Sequence, residues 1–163
     1  MDSMQLPGTS VVLEEAAAVD LPELIDLLID DHLGAARDGI RAGDDRRRYE
    51  RAFAAIDEDP AHLLVIGRLD GRAVATLQLT VIPSLSRRGA VRAVIEGVRI
   101  SSSLRGRGVG GALVRWAVEQ ARDRGCDLVQ LTSDKQRPDA HRFYERLGFE
   151  RSHEGFKLDL RGA

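Results

Sequence analysis

A single cysteine, Cys126, is all the thiol chemistry the sequence holds. An intramolecular disulfide is therefore excluded, and a reducing compartment, by default the cytoplasm, is expected. Cys126 lies where a helical pattern hands over to an apolar run, which suits a small buried hydrophobe better than a nucleophile. Aromatic residues make up only 4% of the chain, so an interior of Ala, Val and Leu is expected. No apolar run approaches the roughly 20 residues that a membrane-spanning helix needs. Met1–Ser10 also lacks the basic cluster and apolar core of a secretory signal, and no membrane association is expected. An excess of one charge is missing too: 24 basic residues face 26 acidic ones, for a net −2. That balance offers no general attraction to nucleic acid. The four histidines, His32, His62, His141 and His153, show no short metal-ligand spacing, and there is no Cys-x-x-Cys, so no metal is expected.

The 163 residues, 43% of them hydrophobic, suit one domain of ordinary size, with residues 1–9 as a loose leader ending at Pro7-Gly8. Val11 to Ala17 reads as a first, edge strand. Asp20 then serves as an N-cap, with Pro22 and Glu23 in the first turn, and Leu21, Leu24, Ile25, Leu28 and Ile29 follow at helical spacing. This helix is expected to reach Leu33 or Arg37. A polar break over Gly39–Asp45 precedes a second helix to about Ile56, with Tyr49, Ala52, Phe53 and Ile56 on one face. Three strands follow as an antiparallel meander: His62–Leu69, Arg72–Ile82 after the hairpin signal Asp70-Gly71, and Ala90–Ile100. A helix to Arg124 comes next, with Trp116 packing beside Ala112, Leu113 and Ala117, and Gly125 closes it. Asp127–Thr132 reads as a short buried strand parallel to the one before the helix. Pro138 opens a last helix to Leu147, Gly148 caps it, and Phe149–Leu160 is expected to supply one or two final strands. The order describes an α+β fold, a mixed and mostly antiparallel sheet of about 6–7 strands with about 4 helices.

The stretch Arg105-Gly106-Arg107-Gly108-Val109-Gly110-Gly111 joins the third meander strand to the long helix. Glycine permits positive φ and lets backbone approach a ligand closely. The first N–H groups of a helix have no internal partner and sit at the positive end of its macrodipole. A phosphate can dock on such a turn without a dedicated side chain, and Arg105 and Arg107 add positive charge. A P-loop is excluded, because no Gly-Lys-Ser/Thr follows. The spacing Gly106-x-Gly108-x-x-Gly111 also fits a dinucleotide fingerprint, but that fold needs further βα units and only about 30 residues remain after Asp134.

Arg105, Gly108 and Gly110 fit Arg/Gln-x-x-Gly-x-Gly/Ala, the coenzyme A-binding motif of the GNAT acetyltransferase superfamily, and the chain resembles that superfamily from end to end. Two further stretches carry the resemblance. Val94-Ile95-Glu96-Gly97-Val98-Arg99-Ile100 is similar to the strand that splays from its neighbour in this family. The resemblance implies that Val98, Arg99 and Ile100 meet the pantetheine arm of acetyl-CoA, the cosubstrate, with main-chain bonds from Val98 and Ile100. It also implies that Glu96 acts as general base toward the acceptor ammonium; the plainer readings are a solvent-facing carboxylate or a pair with Arg92 or Arg99. Ala140-His141-Arg142-Phe143-Tyr144-Glu145-Arg146-Leu147-Gly148-Phe149 is very close to the family's Ala-x-x-Phe-Tyr-x-x-Leu-Gly-Phe. There Phe143, Leu147 and Phe149 are core candidates, and Tyr144 is implied to lie near the coenzyme sulfur and protonate the leaving thiolate. Gly106, Arg107, Val109 and Gly111 complete the implied coenzyme-binding turn. Many relatives carry Asn where this chain has Arg137.

The expected activity is transfer of an acetyl group from acetyl-CoA to a primary amine by direct attack in a ternary complex. The alternative is a non-catalytic acyl-CoA sensor or scaffold of the same fold. The acceptor is a small molecule or a peptide amine; both signs of charge line the segments expected to shape its site. Dimerisation is common in the family, but no segment here predicts a homodimer.

Overall fold

A six-stranded sheet with strands in sequence order organises the computed structural model, which describes residues 1–30, 38–41 and 44–160. The strands are β1 (Met4–Gln5), β2 (Val12–Glu15), β3 (His62–Leu69), β4 (Arg72–Pro83), β5 (Val91–Ile100) and β6 (Leu128–Leu131). The first five are antiparallel neighbours and β6 runs parallel to β5, as the meander followed by a helical crossover requires. The chain forms two compact units, Met1–Leu131 and Thr132–Ala163.

The helices are α1 (Leu21–Ile29), α2 (Asp45–Asp57), α3 (Val109–Asp123) and α4 (Pro138–Arg146). Alternation along the strands gives the sheet two faces. Leu24 of α1 and Phe53 of α2 pack with Ala16 and Ile66, flanked by Leu64 and Ala73, so one face lies under α1 and α2. The other face carries the buried Val65, Leu77, Leu79, Ala93 and Ile95 and packs against α3, whose Ala112, Leu113, Trp116, Ala117 and Ala121 are buried at helical spacing. Each large side chain buried there contributes about 1.5–3 kcal/mol. Local signals acted as expected: Asp70 (φ 51°) and Gly71 (φ 77°) turn the β3–β4 hairpin, and Gly125 (φ 71°) and Gly148 (φ 91°) follow the last two helices.

Several expectations are corrected. Residues 1–9 are no loose leader: Met4 and Gln5 pair with Leu13 and Val12, and Leu6 is fully buried. Pro7-Gly8 turns a hairpin, closed by Leu6 N–H to Val11 O (2.8 Å) and by the Thr9 hydroxyl to Leu6 O (2.9 Å). β2 is therefore the second strand, not the edge. Asp20 does not cap α1 with its side chain. It ends a short 3-10 turn and accepts Ala17 N–H at 2.8 Å, because Arg68 on β3 holds the same carboxylate from the other side at 2.5 Å. The expected extension of α1 to Leu33 or Arg37 lies outside the described residues. The loop before β5 contains a four-residue turn, Ser86–Gly89, with Arg87 (φ 52°) and Arg88 (φ 64°) in the left-handed region. β6 is half-buried rather than buried. Among the described residues none of Phe149–Leu160 is in a strand; its alternating Phe156, Leu158 and Leu160 stay at least 84% exposed, so no apolar partner rewards extension. Phe143, Leu147 and Phe149 are partly exposed rather than core.

Candidate active site

The register of β4 and β5 slips beside the candidate base. Gln78 faces Glu96, but Thr76 faces Arg99, so β5 has one residue more than β4 between them. Gly97, at φ 60°, absorbs that residue as a bulge. On its other side, β5 pairs with β6 only from Arg92 to Ile95. From Glu96 to Ile100 that edge of β5 has no strand beside it among the described residues. An open strand edge is a template for an extended, amide-bearing molecule. The carbonyl of Val98 receives the Arg99 guanidinium at 3.0 Å and keeps a second lone pair.

β5 runs directly into the glycine turn. A 3-10 turn over Ser102–Leu104 leads to Gly106 (φ 76°) and Gly108 (φ 83°), and α3 begins at Val109. Ala112 N–H donates to Gly108 O at 3.0 Å as the first intrahelical bond, so the amides of Val109, Gly110 and Gly111 stand ahead of the ladder. A Cβ added at Gly106 or Gly108 would meet no protein atom within 4 Å. These glycines answer to backbone conformation and to what approaches from outside, not to packing. The residues thus fit a diphosphate-bearing coenzyme. The turn is tied down by Asp30 at the end of α1: its carboxylate accepts Ser102 N–H at 2.7 Å, and its carbonyl accepts the Arg105 guanidinium. Part of the Arg105 donor capacity is therefore structural. Arg107 is exposed.

Glu96 lies on the α1–α2 face with Arg92 and Val94, in line with Gln78 and Thr80 on β4 and His62 on β3. Its side chain is exposed and, among the described residues, forms no ion pair with Arg92 or Arg99. The bulge places Arg99, paired with Thr76, on this face as well. His62 Nδ1 lies 2.9 Å from Thr80 Oγ1 and Gln78 Nε2 lies 3.4 Å from the same nitrogen, so this part of the floor is already cross-linked. Arg92 was legible only as a partner for Glu96. The signal for more was its even spacing from Glu96, which puts both charges on one face of the strand.

Tyr144 belongs to the second unit. It sits half-buried on α4, edge-on to Phe143 (centroids 5.0 Å apart) and to Phe149 (6.0 Å). His141, three residues earlier, is satisfied: its Nε2 donates to Asp134 O at 2.8 Å. Cys126 is half-buried, and burial pushes its thiol up from the usual range, which argues against a nucleophile. An open cleft of about 410 Å³ is lined by Arg87, Arg88, Gly89, Ala90, Asp127 and Leu128. It lies at the start of β5, the opposite end from the glycine turn. Among the described residues no helix is long and apolar enough to cross a membrane.

Comparison with known proteins agrees with this geometry. The family model described as "Acetyltransferase (GNAT) family" matches residues 21–149. An aminoalkylphosphonate N-acetyltransferase of Salmonella typhimurium is 32% identical over 71% of this chain and 75% of its own length. A glucosamine 6-phosphate N-acetyltransferase of Trypanosoma brucei brucei is 38% identical over 55% of this chain and 59% of its own. The crystal structure of a transcriptional regulator from Bacillus halodurans C-125 superposes with a TM-score of 0.87 at 46% identity, covering 92% of this chain and 99% of that one. The chain therefore belongs to the GNAT acetyltransferase family, and its role is acetyl transfer.

Proposed function

We propose that the chain acetylates the primary amine of a small molecule, with acetyl-CoA as donor and no covalent enzyme intermediate. The observation that carries this reading is the unpaired edge of β5 at Glu96–Ile100 running into the free amides of α3. Bound there, acetyl-CoA supplies an activated acyl carbon. The amides of Val109, Gly110 and Gly111, with Gly106, Gly108, Arg105 and Arg107, are assigned to its phosphates, and Val98, Arg99 and Ile100 to its pantetheine arm. Glu96 takes a proton from the acceptor ammonium onto its carboxylate, since only the neutral amine attacks. The new N–C bond forms as the C–S bond breaks, the Tyr144 phenol delivers a proton to the departing sulfur, and the surplus proton on the acylated nitrogen leaves through solvent, which reprotonates the phenolate. Tyr144 enters through the motif it shares with the family.

Holding two reactants in line supplies most of the rate, and each proton transfer about 10²–10⁴-fold. The family match spans both units, which supports reading the chain as one functional domain. The named substrates of the Salmonella and trypanosome relatives support a small-molecule acceptor. The Bacillus halodurans neighbour, described as a transcriptional regulator, supports a second reading, a coenzyme-binding sensor without turnover.

Thiol release from acetyl-CoA across a panel of small amines separates the two. Amine-dependent release that falls by about 10²-fold or more in Glu96→Gln is the expected result. Coenzyme binding by calorimetry without release toward any amine would leave the sensor reading. Release unaltered in Glu96→Gln would remove Glu96 from the mechanism.

A further inference from the structure

Most polar groups on the α1–α2 face of the sheet are paired. Arg68 donates to three carboxylates, Glu14 (2.8 Å), Asp20 (2.5 Å) and Glu23 (2.8 Å). His62 has Thr80 and Gln78. Arg99 donates to Val98 O. Arg92 is different. Its Nε, like that of Arg99, is buried without a hydrogen-bond partner, but among the described residues no hydrogen bond or ion pair reaches any part of its guanidinium. On the adjacent strands it faces Ile82 and Leu128, so its neighbours in the pleat are apolar. A half-buried guanidinium between two aliphatic side chains lacks the anion its environment favours, and a lowered local dielectric strengthens whatever attraction an arriving anion feels.

Arg92 also has a defined relation to the proposed base. It precedes Glu96 by four residues on one face of β5, a Cα separation of about 13 Å. Two long side chains leaning toward each other reduce that span to the length of a small amine with an acid group at its far end. The loop carrying Arg87 and Arg88 lies at the Arg92 end of the strand and adds positive potential. The Asp127 carboxylate at that end is occupied by Val91 N–H at 2.8 Å.

We propose that Arg92 is a specificity residue that binds an oxyanion of the acceptor, a phosphonate, phosphate or carboxylate, while the acceptor amine lies at Glu96. The substrate class is then small amino acids in the broad sense, molecules with a primary amine and an acid group. The planar fork of arginine suits bidentate contact with such an oxyanion. This inference rests on the acetyl-transfer reading for the position of the amine, but not for the anion site.

The test compares 2-aminoethylphosphonate, β-alanine and ethanolamine as acceptors for wild type, Arg92→Gln and Arg92→Lys. Thermal melts establish that each variant is folded. In wild type the acidic acceptors are expected to have KM values at least about tenfold below that of ethanolamine, and whichever of phosphonate and carboxylate is lower names the preferred oxyanion. Arg92→Gln is expected to raise those values by about tenfold or more, leaving KM for ethanolamine and acetyl-CoA within about twofold. Arg92→Lys should recover part of the loss by keeping the charge.

Equal KM for acidic and neutral acceptors in wild type, or a loss in Arg92→Gln shared by ethanolamine, would overturn the proposal while leaving acetyl transfer intact. Calorimetric titration of 2-aminoethylphosphonate into the protein with coenzyme A present reads the site without turnover. Binding lost in Arg92→Gln with no acetylation of any amine would sustain the anion site and refute the enzymatic reading. No binding to wild type and no acidic preference would refute the anion site.

Discussion

Replacing Gly108 by Val separates two demands that the glycine turn places on one position. Gly108 has φ 83° and an open space where its Cβ would be. An L-residue in the left-handed region costs about 1–2 kcal/mol, more when β-branched. For a chain of this length each kcal/mol lowers Tm by about 2–4 °C, so a drop of at least about 2–8 °C is expected from conformation alone. Gly125 provides a matched control at the other end of α3, with φ 71° and likewise no atom within 4 Å of the place a Cβ would take. Gly125→Val should therefore lose similar stability. The two variants differ in what the new side chain faces. At Gly108 it projects where the coenzyme phosphates are assigned. Displacing them from two helix-terminal amides forfeits two hydrogen bonds to a charged group, about 1.5–3 kcal/mol each. That is about 3–6 kcal/mol, or roughly 10²–10⁴-fold in affinity. Calorimetric titration with coenzyme A, run well below both melting temperatures, reads this directly. Native affinity in Gly108→Val, or equal losses in the two variants, would refute the docking of phosphate on this turn.

Tyr144→Phe should lower turnover about 10²–10⁴-fold with coenzyme affinity nearly unchanged, and unaltered kcat with a good acceptor would remove its acid role. Arg68→Met should destabilise the fold by about 3–5 kcal/mol in a denaturant titration, because the Asp20 side chain, only 10% exposed, loses its guanidinium; a loss below about 1 kcal/mol would show the network to be solvent-screened. Cys126 should alkylate slowly at pH 8, since its raised pKa keeps it a thiol at a pH where an ordinary cysteine begins to ionise, and Cys126→Ala should retain activity; fast labelling would contradict the burial that raises it.

What could be read from the sequence was what neighbouring residues decide among themselves. Asp70-Gly71 forces its hairpin, and Gly125 and Gly148 end their helices, because each φ is set by the residue at that place. The turn from Arg105 to Gly111 was legible for the same reason. Features that depend on distant partners were not. Met4–Gln5 is too short to show a strand period and becomes β1 only because β2 offers it an edge. Asp20 looks like a cap until Arg68, 48 residues later, claims its carboxylate. Arg92 reads only as a possible partner for Glu96 until β4 and β6 place Ile82 and Leu128 beside it. Phe149–Leu160 has the alternation of a strand, but alternation names only a tendency, and among the described residues no strand forms there.

The extra residue at Gly97 has an effect that no side chain at that position could produce. In a regular strand Glu96 and Arg99, three apart, would look in opposite directions. The inserted residue resets the phase, so a carboxylate and a guanidinium share one outlook while the backbone between them swings free of its neighbour. Shortening the strand by that one residue would turn either the carboxylate or the guanidinium through half a revolution, and it would do so without altering the chemistry of either.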